Sequence, residues 1–160
     1  MLKAGVHAVL ILENIRSAQN VGAIFRTADA IGVTKIYLTG YTPAPLDKFE
    51  RPSKEIAKTA LGAESTMPWE SITNTITLIE TLRKEDFEIV AVEQTPEAID
   101  YKKFIPSGST AFILGNEVDG VLPETLAVSD TVIQIPMRGT KESLNVATTA
   151  GIILFRILDK

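Results

Sequence analysis

The sequence has 160 residues, of which 45% are hydrophobic and 22% are charged, as is typical of a single globular domain. It has no cysteine, which excludes a disulfide framework, and its net charge of −4 argues against binding nucleic acid through a uniformly basic surface. No apolar run approaches the roughly 20 residues that span a bilayer. Residues 1–5 are too short for a signal peptide, so a cytoplasmic protein is expected.

The first predicted elements form a β-α-β unit. The apolar run His7–Leu12 is typical of a buried strand, and Lys35–Thr39 is predicted as the next strand. Apolar residues between them recur at helical spacing, with Asn20 as the predicted N-cap and Gly32 as the predicted end of the helix. This order predicts an α/β fold with parallel strands.

The middle of the chain continues the alternation of loops, helices and strands. The expected elements are a loop at 41–52, helices at 53–61 and 71–86, strands within 64–70 and at 87–92 and 110–114, and a helix that begins at Pro123.

The last predicted unit consists of the strand Val132–Ile135, a polar loop that begins at Pro136, and a helix that is apolar on most sides. Ser143 is the default cap of this helix, and a ligand contact is the alternative. A strand, a polar loop and a buried helix suit a ligand site at the carboxyl edge of an α/β sheet, whereas the simpler interpretation is a closing βα unit.

Three polar loops follow predicted strands, at residues 13–22, 115–120 and 136–145. If the strands are parallel, the three loops leave the same edge of the sheet, so their polar side chains converge. Glu117 is then either a solvent-exposed turn residue or part of a site. Arg26 is either a surface side chain or a group that binds an anion. No metal site is predicted, because His7 is the only histidine and the two carboxylates Glu117 and Asp119 are weak evidence for a cation.

Three segments resemble the motifs of one enzyme family, the SpoU (TrmH-type) RNA 2′-O-ribose methyltransferases of the SPOUT superfamily. Asn20–Ala30 resembles the first motif, Phe112–Val121 the second and Ile135–Ala147 the third. Their order, and their placement after predicted strands, make the resemblance specific. It covers essentially the whole chain, 1–160, as a single catalytic domain with no added RNA-binding domain.

The resemblance implies the SPOUT fold, a mostly parallel sheet flanked by helices with a deep C-terminal trefoil knot. It also implies the transfer of a methyl group from S-adenosylmethionine to a ribose 2′-hydroxyl of tRNA or rRNA. Enzymes of this type are homodimers in which the partner completes each site. A non-catalytic RNA-binding or assembly protein that retains the fold is the alternative. The sequence does not say which RNA or which nucleotide is modified.

The resemblance also assigns roles by motif position. The implied catalytic residues are Arg26, Asn20, Glu117, Ser143 and Asn145. The implied cofactor contacts are Leu114, Gly115, Asn116, Glu117, Gly120, Ile135, Met137, Ser143 and Leu144. Candidate RNA contacts are Arg16, Arg138 and Lys141, with Lys48, Arg51, Lys54 and Lys58 as further basic residues.

Two expectations concern the mechanism and the assembly. Arg26 is expected to act either as a base or as an electrostatic stabiliser, and the second role is physically easier because a guanidinium loses its proton only at very high pH. The last helix is expected to form the dimer surface, with Ile153 and Ile157 facing the partner.

Overall fold

A seven-stranded sheet, in which all paired neighbours are parallel, organises the computed structural model, which describes residues 6–159. Its order is β3-β2-β1-β6-β4-β7-β5. The strands are β1 (Ala8–Glu13), β2 (Lys35–Thr39), β3 (Trp69–Ile72), β4 (Glu88–Val92), β5 (Ile99–Asp100), β6 (Thr110–Leu114) and β7 (Thr131–Gln134). The prediction of a parallel α/β fold is confirmed. The prediction that residues 1–5 are too short for a signal peptide concerns a segment outside the described residues.

Helices cover both faces of the sheet. They are α1 (Ala18–Ile31), α2 (Lys54–Ala60), α3 (Ala63–Thr66), α4 (Thr75–Lys84), α5 (Pro123–Val128) and α6 (Val146–Leu158), with a 3₁₀ turn at Tyr101–Lys103. Side chains of α1, α2, α3 and α6 form one core, and α4 and α5 contribute to the other. None of these helices within residues 6–159 has the length and apolar character needed to cross a membrane.

The central strands are buried on both faces, which explains their continuous apolar runs. Successive side chains of a strand point to opposite faces of the sheet. Leu10 and Leu12 of β1 accordingly enter the core beside α1, whereas Val9 and Ile11 enter the core beside α4.

Several predicted boundaries are wrong because polar caps were assigned to the wrong residue. Ser17, not Asn20, caps α1, and its side-chain oxygen accepts a hydrogen bond from the Asn20 N–H. Asn145, not Ser143, caps α6 by accepting from the N–H groups of Ala147 and Thr148. Ser143 therefore lies in the preceding loop.

Two further predictions are wrong in the middle of the chain. Residues 63–66 form α3, and the strand that was expected within 64–70 begins only at Trp69. The next helix begins at Thr75 behind an Asn74 cap, because Ile72 belongs to β3 and does not lie on the helix.

The expectation that Ile153 and Ile157 face a partner subunit is also wrong. They are only 1% and 3% exposed, because α6 packs into the chain's own core beside α1. The exposed large apolar residue of α6 is Phe155, at 44%.

Candidate functional site

A cavity of about 480 Å³ lies at the carboxyl edge of the sheet, where polar loops follow β4, β6 and β7. Its lining includes residues 92–95, 114–121, 134–135, 137 and 142–144. The loop after β1 joins this edge through contacts with Glu117. The predicted convergence of the three loops is therefore confirmed. The loop after β4 also lines the cavity, which was not predicted.

The carboxylate of Glu117 lies against the N-terminus of α1. One oxygen, Oε2, accepts a hydrogen bond from the Arg16 N–H at 2.9 Å. The other, Oε1, accepts from the Ser17 N–H and from the Asn20 amide, both at 3.1 Å. Ser17 is the N-cap of α1 and Arg16 precedes it, so the carboxylate binds N–H groups at the helix N-terminus and complements the helix dipole there.

These donors keep Glu117 ionised. Burial by itself raises its pKa, but the N–H groups of Arg16 and Ser17, the Asn20 amide and the residue's own N–H stabilise the charged form. The pKa of Glu117 therefore lies below its ordinary value of 4.5. A fully charged carboxylate accordingly stands at the rim of the cavity at neutral pH.

A chain of amide hydrogen bonds connects all three motifs. Asn145, which caps α6, donates from its amide to Oδ1 of Asn20 at 3.1 Å. Asn20 in turn donates to Glu117 at 3.1 Å. Each amide group in this chain has one orientation that satisfies its partners, so the side chains are held in a defined geometry.

The turn after β6 has space only for glycine at two positions. A Cβ on Gly115 would lie 2.3 Å from backbone atoms of Gly120 and Val121, and one on Gly120, which has φ +72°, would lie 2.0 Å from the Glu93 carboxylate. Asn116 closes the turn. Its oxygen accepts from the N–H groups of Val118 and Asp119, at 2.8 Å and 2.9 Å.

The amide nitrogen of Asn116 is also engaged within the chain. It donates to the backbone oxygen of Asn14 at 2.8 Å and to the Tyr41 hydroxyl at 2.9 Å. The side chain is therefore already satisfied, and Asn116 faces the cavity as part of a rigid turn.

Glu93 is a site residue that the sequence analysis missed. It follows β4, lines the cavity and accepts a hydrogen bond from the Val121 N–H at 2.9 Å. The polar run Glu93-Gln94-Thr95 after the predicted strand at 87–92 was the signal that could have identified it, because all strands of a parallel sheet end at the same edge.

Arg26 lies apart from the other predicted catalytic residues. It is six residues beyond Asn20 on α1, about 9 Å further along the helix axis. The side chain is exposed and lines a second, open depression together with Leu61 and Thr66. Its guanidinium forms no ion pair within residues 6–159.

The remaining predicted residues lie around the cavity or in exposed loops. The cavity lining includes Leu114, Ile135, Met137, Ser143 and Leu144. The predicted RNA contacts Arg16, Arg138 and Lys141 are exposed. The site thus combines a cavity of mixed polar and apolar lining, an amide network, a carboxylate and exposed cations.

Comparison with known proteins shows the family to which the chain belongs. The family model described as "SpoU rRNA Methylase family" matches residues 7–155. The chain belongs to this SpoU family. The structure places two of the three polar segments at one cavity and connects the first to them through Asn20.

Two curated SpoU relatives carry enzyme names. The 23S rRNA (guanosine-2′-O-)-methyltransferase RlmB of Neisseria meningitidis serogroup B is 36% identical over 146 residues, which is 91% of this chain and 56% of that protein. The tRNA (guanosine(18)-2′-O)-methyltransferase of Aquifex aeolicus is 31% identical over 147 residues, which is 92% of this chain and 66% of that protein.

A solved rRNA methyltransferase structure has the same fold. The AdoMet-bound rRNA methyltransferase of Sinorhizobium meliloti superposes with a TM-score of 0.84 at 30% identity, and the match covers 94% of this chain and 55% of that chain. The present chain spans a little over half the length of several of the curated relatives that it matches.

Proposed function

We propose that this chain transfers the methyl group of S-adenosylmethionine to the ribose 2′-hydroxyl of a guanosine in rRNA or tRNA. The S–CH₃ bond breaks as the O–CH₃ bond forms, S-adenosylhomocysteine leaves, and the hydroxyl proton is released to water. The observation that carries the proposal is the network Asn145–Asn20–Glu117 at the cavity rim, which brings all three SpoU motifs together. The names of the relatives support the guanosine 2′-hydroxyl as the acceptor, and they support both rRNA and tRNA as the RNA class.

The cavity suits S-adenosylmethionine in size and chemistry. Its volume of about 480 Å³ falls within the roughly 300–1,000 Å³ of small-molecule sites. Leu114, Ile135, Met137 and Leu144 supply apolar contacts, while Gly115 and Gly120 let the turn after β6 pack closely on itself and on Glu93 at the cavity wall. When bound, the cofactor supplies an electrophilic methyl group on a sulfonium centre.

The chain's own residues then position the acceptor and stabilise its charge. Asn20, held between Glu117 and Asn145, and the exposed Ser143 orient the ribose beside the cavity. Placement of this kind supplies much of the rate in a transfer that needs its reacting atoms in line. Arg26 acts as a cation that binds phosphate and stabilises the forming alkoxide, since a guanidinium loses its proton only at very high pH.

A homodimer is part of the proposal, because Arg26 does not face the cavity of its own chain. Its side chain is absent from the cavity lining and lines the second depression, further along α1 than Asn20. In a two-fold symmetric dimer each copy can present Arg26 to the cavity of the other. The exposed Phe155 on α6 supplies an apolar contact for such an interface.

A trefoil knot belongs to the same proposal. The chain leaves β7, which lies beyond β4, and returns across the carboxyl edge to pack α6 against α1. Residues 136–145 make this crossing at the cavity, and a knot there would make the cavity walls difficult to separate. A cytoplasmic location also belongs to the proposal, because the enzyme must meet its RNA substrate.

The test of the reaction is incubation with labelled S-adenosylmethionine and total RNA, followed by nucleoside analysis. We expect label in 2′-O-methylguanosine, its loss with Arg26→Ala, and no effect of Lys84→Ala, which removes an exposed cation at the opposite edge of the sheet. Cofactor binding without transfer to any RNA would instead support the non-catalytic alternative.

Mixing two inactive variants tests the composite site. Arg26→Ala and Asn145→Ala each damage a different half of it, so a mixed dimer retains one intact site. Random exchange should restore roughly a quarter of wild-type activity, since half of the dimers are mixed and each has one good site of two. Mixed dimers without recovered activity would refute the shared site.

A further inference from the structure

The segment after β2, residues 40–53, forms an ordered loop anchored beside the candidate site. The Tyr41 hydroxyl accepts a hydrogen bond from Asn116, and the Tyr41 N–H donates to Asn14. The Thr42 hydroxyl is buried, where it donates to the Leu12 oxygen at 2.8 Å and accepts from the Ile15 N–H at 3.0 Å. The base of the loop is thus held by the loops after β1 and β6.

Asp47 organises the outer part of this loop. One carboxylate oxygen accepts from the N–H groups of Phe49 and Arg51, at 2.8 Å and 3.0 Å. The other accepts from the Arg51 guanidinium at 2.7 Å. The backbone adds bonds from Asp47 to Arg51 and from Glu50 to Asp47. Residues 47–51, called here the Phe49 tip, therefore form a stable turn.

The Phe49 tip presents an aromatic ring between cations. The Phe49 side chain is 64% exposed. The Lys48 ammonium and the Arg51 guanidinium each lie 5.0 Å from the ring centroid. The helix that follows adds Lys54 and Lys58, both exposed. The carboxylate of Asp47 pairs with Arg51, whereas Lys48 forms no ion pair within residues 6–159, so an unpaired cation stands beside the ring.

We propose that the Phe49 tip is an RNA contact that stacks on an unpaired base of the substrate, while Lys48 and Arg51 bind the flanking phosphates. This inference rests on the proposed function for the identity of the ligand. Proteins recognise unpaired RNA by stacking bases on exposed aromatic rings and by neutralising the adjacent phosphates. A rigid loop loses little conformational freedom when it binds, so a single exposed ring can contribute substantially.

A protein partner fits the Phe49 tip less well than RNA does. An interface between proteins needs a contiguous apolar patch whose core is depleted of charge. The immediate neighbours of Phe49 are instead Lys48 and Glu50, with Arg51 beside them. The alternation of an aromatic ring with cations matches the alternation of bases and phosphates.

Fluorescence anisotropy with a short, labelled single-stranded RNA of mixed sequence tests the stacking. Phe49→Ala should weaken binding on the order of tenfold, and Phe49→Trp should retain or improve it. The matched control is Ile105→Ala, which removes a 73% exposed apolar side chain just ahead of β6 and should leave affinity unchanged. Circular dichroism confirms that each variant is folded.

The salt dependence of the same binding tests the phosphate contacts. Lys48→Gln should reduce the slope of log affinity against log salt by roughly one, whereas Lys84→Gln should leave it unchanged. Photo-crosslinking with 4-thiouridine RNA, read by mass spectrometry, should identify the peptide that contains Phe49.

Two results would overturn the inference. One is wild-type RNA affinity in Phe49→Ala. The other is a different sedimentation coefficient for Phe49→Ala than for the wild type when no RNA is present, which would assign Phe49 to an interface between copies of the chain. The proposed function fails separately: if the wild type transfers no methyl group and yet Phe49→Ala weakens RNA binding, only the reaction is refuted.

Discussion

Replacing Glu117 with glutamine tests whether its charge holds the β6 loop against the N-terminus of α1. The carboxylate accepts three hydrogen bonds, two on Oε1 and one on Oε2. Glutamine has one acceptor oxygen, so it can keep the bonds from Ser17 and Asn20, but it turns an NH₂ group toward the N–H of Arg16. The substitution also removes a negative charge from the helix N-terminus.

The expected cost follows from these losses. A hydrogen bond to a charged group is worth about 1.5–3 kcal/mol when buried, and a charge at a helix N-terminus about 0.3–1 kcal/mol. Glu117 is partly exposed and water can replace the lost partner of Arg16, so we expect a total of about 1–2 kcal/mol. For a domain of this size that is a decrease in Tm of about 2–8 °C.

The pH dependence gives the sign of the effect. Because the pKa of Glu117 is lower in the folded protein than its ordinary value of 4.5, its stabilisation is complete above that value. The stabilisation is lost as pH falls through the lower, folded-state pKa. Wild type and Glu117→Gln should therefore differ in urea denaturation at neutral pH and converge in acid.

Asp119→Asn is the matched control, because Asp119 lies exposed in the same loop and contributes its N–H to the turn. It should have little effect at any pH. Equal stability of wild type and Glu117→Gln at neutral pH would refute the argument. A difference that persisted unchanged in acid would show that shape, and not charge, is responsible.

Two further substitutions test the caps and the tight turn. Asn145→Ala removes the cap of α6 and should lower the free energy of unfolding by about 1 kcal/mol, whereas Ser143→Ala should leave it unchanged. Urea denaturation of both variants measures this difference. A larger loss of stability in Ser143→Ala than in Asn145→Ala would show that Ser143 is the cap. Gly115→Ala places a Cβ 2.3 Å from backbone atoms and should lower the free energy of unfolding of the protein by about 1–3 kcal/mol. It should also weaken S-adenosylmethionine binding, as measured by calorimetry. An unchanged Tm would show that the turn can relax.

The sequence predicts the strands well, because the central ones are buried on both faces and leave an unambiguous apolar run. Lys35–Thr39 and Thr110–Leu114 were predicted with the bounds that the structure shows. The order of the strands within the sheet, by contrast, could not be predicted from these runs. Nothing in a run of apolar residues says that β6 lies between β1 and β4, and that placement is what brings Glu117 to α1.

The polar residues were harder to place, since each can serve as a cap, a ligand contact or a surface group. Glu13 opens a loop that was predicted to be polar, yet it is 1% exposed. Its carboxylate caps α5 by accepting from the Leu122 N–H and the Thr125 hydroxyl. That role depends on a partner 109 residues away, so local pattern could not show it.

The order of the strands in space also has a consequence for how the chain folds during synthesis. β1 and β2 emerge early and can pair at once, and β3 can join them. β4, however, pairs only with β6 and β7, both of which are made after it. Until β6 emerges, β1 and β4 each present an open edge of apolar residues.

Insertion of β6 therefore joins the unpaired strand β4 to the three strands β1, β2 and β3. The contacts of the candidate site are similarly late, because Asn20 meets Glu117 across 97 residues and Asn145 across 125. Contacts of such separation slow folding and leave exposed strand edges open to aggregation. The site is thus assembled last, and its network reports that the whole chain has reached its final arrangement.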